Sequence, residues 1–320
     1  MDYFGINLKG IIMILTFQTG KGSTDNLLKD FVENNVKHAK YYLFDENNAK
    51  RENPSPSGVL KKPPRPETKH LWKDLLETPE DQVTAYMFWG FMRNTKSIYD
   101  MAIRRNKDFY FLDHAYIYHK KHSIYQKKLA HNPYFRMVKN EFVKTTISDT
   151  NDKRLLDMRK QFKNGDELDI LPWKKNGSYV LIIPPSPWLC IWLNINAEDL
   201  MNQSIEEIKK HTDREINIRY KKPGGKYNTT SLEEDIDNAW AVVSFQSSVA
   251  VRAINRGVPS FLMKPGYSVS EPMSLIDLSK IETPYYPDNR YEWLSNICNN
   301  QFLKKEIVDG TALEYINEHN

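Results

Sequence analysis

The chain has 320 residues, 40% of them hydrophobic and 27% charged, with a net charge of +4. That length suits two domains, each able to bury its own core, and the balance excludes a disordered or collagen-like chain. The longest apolar stretches, GIIMILTF near residue 10 and YVLIIPPSPWLCIWL near residue 180, are too short or too broken by proline for a membrane span of about 20 residues.

In chain order, GIIMILTFQ reads as a strand that leads through Gly20, Lys21, Gly22 and Ser23 into the helix NLLKDFVENN, whose apolar residues recur at helical spacing. YYLFD is the next strand, and NPSPSGVLKKPPRP is a proline-rich surface loop. AYMFWG is a buried strand ending in Gly90, TKSIYDMAIRRN a helix, and DFYFLDHAYIY a strand carrying Asp113 and His114. This alternation predicts a parallel sheet. A helix, a turn and a Pro-Trp segment follow, and a boundary near 170 divides residues 1–170 from residues 171–320. The second half runs YVLIIPP (strand), AEDLMNQSIEEIKKH (helix), EINIRY (strand), TSLEEDIDNA (short helix), WAVVSF (strand), SSVAVRAINRG (helix) and PSFLMK (strand). That is a doubly wound α/β pattern, closed by one or two helices at the end of the chain.

Cys190 and Cys298 are the only cysteines, and both lie in apolar contexts that predict buried thiols. With no leader pattern visible at the start, the expected location is the cytoplasm. Between Arg93 and Lys144, twelve Lys or Arg stand against four Asp or Glu, which leaves the remainder of the chain near −4. The same segment interleaves Tyr99, Tyr110, Tyr116, Tyr118, Tyr125, Tyr134 and Phe135 with His114, His119, His122 and His131. Such a composition belongs either to a surface that tracks a polyanion such as DNA or to a solvated face over core aromatics.

The sharpest signal is WAVVSFQSSVAVRAINRGVPSFLMKPG. Ser247 and Ser248 stand where a strand passes into a helix that closes at Gly257, and small hydroxyl residues there serve a bound phosphate or simply cap the helix. The segment resembles the donor-binding strand and helix of GT-B capsule-polysaccharide transferases, bacterial sialyltransferases and nucleotide-sugar epimerases. In those a Ser-Ser or Ser-Thr pair opens a helix ending in Gly-x-Pro. The resemblance covers roughly residues 178–266 and implies two facing Rossmann-like domains, with a nucleotide sugar held mainly by the second. It assigns donor contacts to Arg219 and Lys221 of INIRYKKPGG, where the family has a basic or His-Pro element. The chain departs from the family in carrying Tyr-Lys-Lys-Pro there, and in placing Arg252 where an acidic residue often meets the ribose; Arg252 is suited to pair with a phosphate. The closing stretch DNRYEWLSNICNNQFLKKEIVDGTALEYI is also similar to the tail of phage-encoded proteins with this kind of domain.

Further candidates follow from position. Asp113 and His114 sit at a strand's carboxyl end, where open α/β sheets place ligands, and either is a candidate base for an acceptor hydroxyl; adjacent strand residues point to opposite faces, so one of the two is expected to reach a ligand. A structural hydrogen-bonding role is the alternative. Gly20, Lys21, Gly90 and Arg93 are the candidate cleft-loop residues and Ser186 a candidate contact to a donor phosphate, with rigid or flexible turns as the other reading. No HExxH or CxxC element occurs and no Asp-x-Asp element stands out, so neither metal nor cofactor is expected. Three functions fit these features: a metal-independent glycosyltransferase acting on a surface glycan or on a hydroxymethylated base in DNA, a nucleotide-sugar epimerase, and a non-catalytic nucleotide- or nucleic-acid-binding protein.

Overall fold

The computed structural model describes residues 14–19, 27–35, 39–44, 80–91, 95–117, 134–145, 151–161, 168–220 and 230–320. These fall into two compact units, one holding the described residues up to 145 together with 299–320, the other holding 151–298.

The first unit begins with β1 (Ile14–Thr19), α1 (Leu27–Asn34), β2 (Ala39–Phe44), β3 (Ala85–Trp89), α2 (Thr95–Arg104), β4 (Asp108–His114) and β5 (Tyr134–Lys139). In the order β2-β1-β3-β4 the strands are parallel, and β5 joins β4 antiparallel. β3 is buried along almost its whole length, as expected of a central parallel strand covered on both faces. Gly90 ends it with φ +63, and the Thr95 hydroxyl donates to the Gly90 carbonyl at 2.7 Å.

The second unit runs α3 (Lys153–Gln161), β6 (Tyr179–Ile183), α4 (Pro187–Trp192), α5 (Ala197–Lys209), β7 (Glu215–Ile218), α6 (Leu232–Asn238), β8 (Ala239–Ser244), α7 (Ser248–Asn255), β9 (Ser260–Leu262), β10 (Ser274–Leu275) and α8 (Arg290–Asn299). All five strands are parallel, in the order β7-β6-β8-β9-β10. Strand period decides what covers each face. Val180, Ile182, Ala241, Val243 and Phe261 pack with Ile208 and, more peripherally, Met201 and Ile205 of α5. On the opposite face Leu181 and Val242 meet Ile236 of α6 and Ala253 of α7. This is the doubly wound arrangement expected from the alternation of strands and helices.

The chain then returns to the first unit. β11 (Gln301–Leu303) pairs antiparallel with β5, and α9 (Lys304–Val308) and α10 (Thr311–His319) follow. Phe302, Ile307, Ala312, Leu313 and Ile316 fill the core beneath β1, β3 and β4. The expected division at 170, with closing helices in the second half, is therefore corrected: the division lies near 150, and 299–320 complete the first unit. Local periodicity reveals an amphipathic segment but not which core receives its apolar face, and that face fits the first sheet.

Candidate functional site

Within each sheet, the first strand is flanked by the second and third, so the crossovers on its two sides leave toward opposite faces. Open α/β sheets bind ligands at the carboxyl ends of the strands where this reversal occurs. In the second unit the reversal lies between β6 and β8.

Two loops leave those neighbouring strand ends. After β8, Phe245 is buried against Tyr267, with ring centroids 5.5 Å apart, and the chain turns into α7. Ser247 is the N-cap of α7, its Oγ accepting from the Val249 N–H at 3.1 Å, and Ser248 is the first helical residue. Ala250, Val251, Ala253 and Ile254 anchor α7 in the core, so its amino-terminal end is held rigidly over the β8 exit. After β6, Pro184 and Pro185 lead to Ser186, the N-cap of α4. Pro187 occupies the first helical position, and the Ser186 hydroxyl makes no capping bond, so it is not spent on its own helix. The sequence-assigned Ser186, Ser247 and Ser248 thus leave adjacent strand ends about 5 Å apart.

Arg219 follows β7, one strand beyond β6, and its amide donates to the Ile182 carbonyl at 3.0 Å. Its guanidinium pairs with Asp235 and donates to the Thr230 carbonyl at 3.2 and 3.3 Å, while the Thr230 hydroxyl bonds the other oxygen of Asp235. Arg252 pairs with Glu233 at 2.9 Å. Four residues further on, Arg256, the C-cap of α7, pairs with Asp237, which also takes Lys174 at 2.7 Å. α6 and α7 are thereby joined by two ion-pair rungs, and the Arg256 guanidinium holds the Asp237 carboxyl below its usual range. Both arginines assigned to a donor phosphate thus carry carboxylate partners. Sequence reasoning missed this ladder, although its signal, Glu233 and Asp237 against Arg252 and Arg256, is visible as two pairs each spaced by one helical turn. Lys221 lies outside the described residues.

In the first unit the corresponding reversal lies between β1 and β3, and Gly90 stands at its β3 end, with open space where a Cβ would be. Gly20, Lys21 and Arg93 lie outside the described residues. Asp113 and His114 do point to opposite faces. Asp113 accepts from the His114 amide at 2.7 Å and lies 3.6 Å from Arg136, its cross-strand neighbour. Arg136 is 1% exposed, donates to the Phe142 carbonyl at 2.5 Å and sits over the rings of Phe111 and Tyr116. The His114 ring packs edge-on against Trp89, with centroids 5.2 Å apart.

Of the two readings of the basic, aromatic segment, core aromatics hold over its described part. Tyr110, Tyr134 and Phe135 are buried because β4 and β5 are covered on both faces, Tyr116 is buried just beyond β4, and Arg136 is buried with them. Burial pushes the Tyr110 phenol up to about 12 and leaves these rings unavailable for stacking on bases. Residues 118–133 lie outside the described set. Burial likewise raises the Cys190 thiol to about 11 and that of Cys298 to about 12, keeping both protonated and unreactive. Among the described residues no group of three or more His, Cys, Asp or Glu is placed to hold a metal ion, and no helix is long and apolar enough to cross a membrane.

No family model matches the chain, and no curated protein matches its sequence. Among solved structures it is similar to the β-Kdo 2,7 transferase of Thermosulfurimonas dismutans KpsC, at 12% identity and a TM-score of 0.45 over 96% of this chain and 100% of that one. The β-Kdo 2,4 transferase of the same protein follows at 9% identity, TM-score 0.43 and 90% of both chains. The UDP-GlcNAc 2-epimerase of Methanocaldococcus jannaschii, solved with UDP-GlcNAc and UDP, shares 10% identity at a TM-score of 0.36, over 88% of this chain and 98% of its own. Likenesses this distant carry no argument about activity, which rests on the residues themselves.

Proposed function

We propose that the second unit binds the phosphates of a nucleotide sugar at the β6/β8 strand ends, and that the protein transfers the sugar to an acceptor hydroxyl without a metal ion. The observation that carries this reading is the pairing of the α7 amino terminus, capped by Ser247 and opened by Ser248, with the uncommitted Ser186 hydroxyl on the adjacent strand end. The positive end of the helix dipole and the hydroxyl donors together suit a phosphate. Arg219, Lys221 and Arg252 supply charge, with the α6 carboxylates exchanged for ligand oxygens. Asp113 and His114 are the base candidates, and the loops of Gly20, Lys21, Gly90 and Arg93 are the proposed acceptor-side lining. A glycan is the acceptor this reading takes over DNA, since Tyr110, Tyr116, Tyr134 and Phe135, among the described residues, are buried and offer no base-stacking surface.

A second reading, nucleotide binding without transfer, is favoured by one observation: Asp113 is already paired with a buried arginine, which suits a structural carboxylate better than a base. Calorimetric titration with UDP-, GDP- and CMP-linked sugars tests the donor reading, and silence with all three overturns it. Donor binding without turnover on any glycan acceptor leaves the second reading standing.

A further inference from the structure

The second sheet ends in an open strand. β7 lies at its edge and pairs with β6 alone, so among the described residues no strand joins its outer side. The Arg219 amide donates to the Ile182 carbonyl at 3.0 Å, which turns the backbone groups of Asn217 and Arg219 inward to β6. Those of Ile216 and Ile218, alternating with them, point outward from the sheet. Such an edge is a template for a further strand. It also carries apolar surface: Ile216 packs at the margin of the core beneath α5, whereas Ile218, on the same face, is left 38% exposed.

The order of residues along the edge sets what fits it. Glu215, Ile216, Asn217, Ile218 and Arg219 are self-complementary when a second copy is laid antiparallel about Asn217. Ile216 of one copy then opposes Ile218 of the other, and because both carry outward backbone groups they form a hydrogen-bonded pair, once on each side of the twofold axis. Their side chains meet on one face as an apolar cross-strand contact that covers Ile218. On the other face Asn217 meets its own copy, and exposed Glu215 stands opposite Arg219, so the facing charges are of opposite sign. Arg219 keeps its bonds to Asp235 and Thr230, and the pairing draws on none of the groups assigned to the donor. A slip of one residue would set outward backbone groups against inward ones, which removes the ladder.

We infer that β7 is a self-association edge, at which two copies of this chain join their second sheets antiparallel about a twofold axis through Asn217. The inference does not rest on the transferase reading. Sedimentation velocity of the full chain from about 5 to 500 µM provides the test, a range suited to a contact smaller than the interfaces of stable dimers. A monomer–dimer equilibrium that shifts with concentration is expected. Ile218→Lys, at a position already exposed, should weaken association roughly tenfold or more with unchanged circular dichroism, because the apolar contact is lost on both sides of the axis. Asn217→Cys should give a disulfide-linked dimer on mild oxidation with diamide, since facing residues of a non-hydrogen-bonded antiparallel pair lie within disulfide reach. Glu198→Cys, exposed on α5, should not, and the native Cys190 and Cys298 are buried away from the reaction. A monomer throughout the concentration range, an Ile218→Lys variant that associates as the parent does, or cross-linking equal at positions 217 and 198 each overturns the assignment.

Discussion

Single side chains in this protein answer to two demands at once, and Asp113 shows the conflict most sharply. Its carboxylate faces buried Arg136, so Asp113→Asn removes both a candidate base and a charge partner. If Asp113 is the base, donor turnover falls by roughly 100-fold or more while donor affinity holds. Loss of the pair itself lowers stability by about 1–3 kcal/mol, measured by urea unfolding. Turnover that survives moves the role to His114. Gly257 is a simpler case: its φ is +77, and a Cβ would stand 2.0 Å from the Pro172 carbonyl oxygen. Gly257→Ala is therefore expected to cost at least about 2 kcal/mol in denaturant unfolding, left-handed strain and a backbone collision together; a loss under half that shows the Pro172 segment yields.

Helices α6 and α7 act as a joined pair. Replacing Ser247 and Ser248 by Ala is expected to weaken donor binding by roughly 1–3 kcal/mol in calorimetry. Part of any accompanying loss of stability, about 1 kcal/mol, belongs to the N-cap bond to Val249 and must be measured alongside. Unchanged affinity in a folded variant removes the phosphate assignment. The ladder between the two helices also carries a pH signature. Asp237 has its folded-state pKa depressed, so its contribution is present above the ordinary carboxylate value near 4 and is lost as pH falls through the lower folded value. Asp237→Asn should consequently be less stable than the parent at neutral pH, with the gap in melting temperature closing as pH drops below about 4. A gap constant from pH 7 to pH 2.5 shows that the ion pairs to Arg256 and Lys174 contribute nothing.

The two units are assembled unequally from the chain. Among the described residues, 151–298 make up the second unit as one stretch, whereas the first takes in 299–320 to finish its sheet and core. Phe302, Ile307, Leu313 and Ile316 are each 0–1% exposed, and at about 1.5–3 kcal/mol per buried side chain their removal approaches the entire stability of a domain. A chain ending at residue 298 should keep amide-exchange protection in β6, β8 and α7 and lose it in β3 and β4. Protection retained in both regions shows that the first unit folds without its last strand and helices.

Much of this fold is written in local pattern. Apolar runs of strand length, helical spacing in NLLKDFVENN and AEDLMNQSIEEIKKH, and the Ser-Ser start and glycine stop of α7 all depend on neighbours within a few residues, and β1, α1, α5, β8 and α7 stand where those patterns lie. Other features depend on partners far along the chain. β11 is three residues long and becomes a strand only by pairing with β5, which itself lay hidden in a basic, aromatic segment. Side-chain pairing follows the same division. Arg219 and Arg252 are legible as free cations suited to phosphate, but their carboxylate partners are supplied by α6, and only the packing of α6 onto the sheet and α7 brings those charges within bonding distance. Charge and period are properties of a sequence, whereas the identity of a charge's neighbour is set by long-range packing.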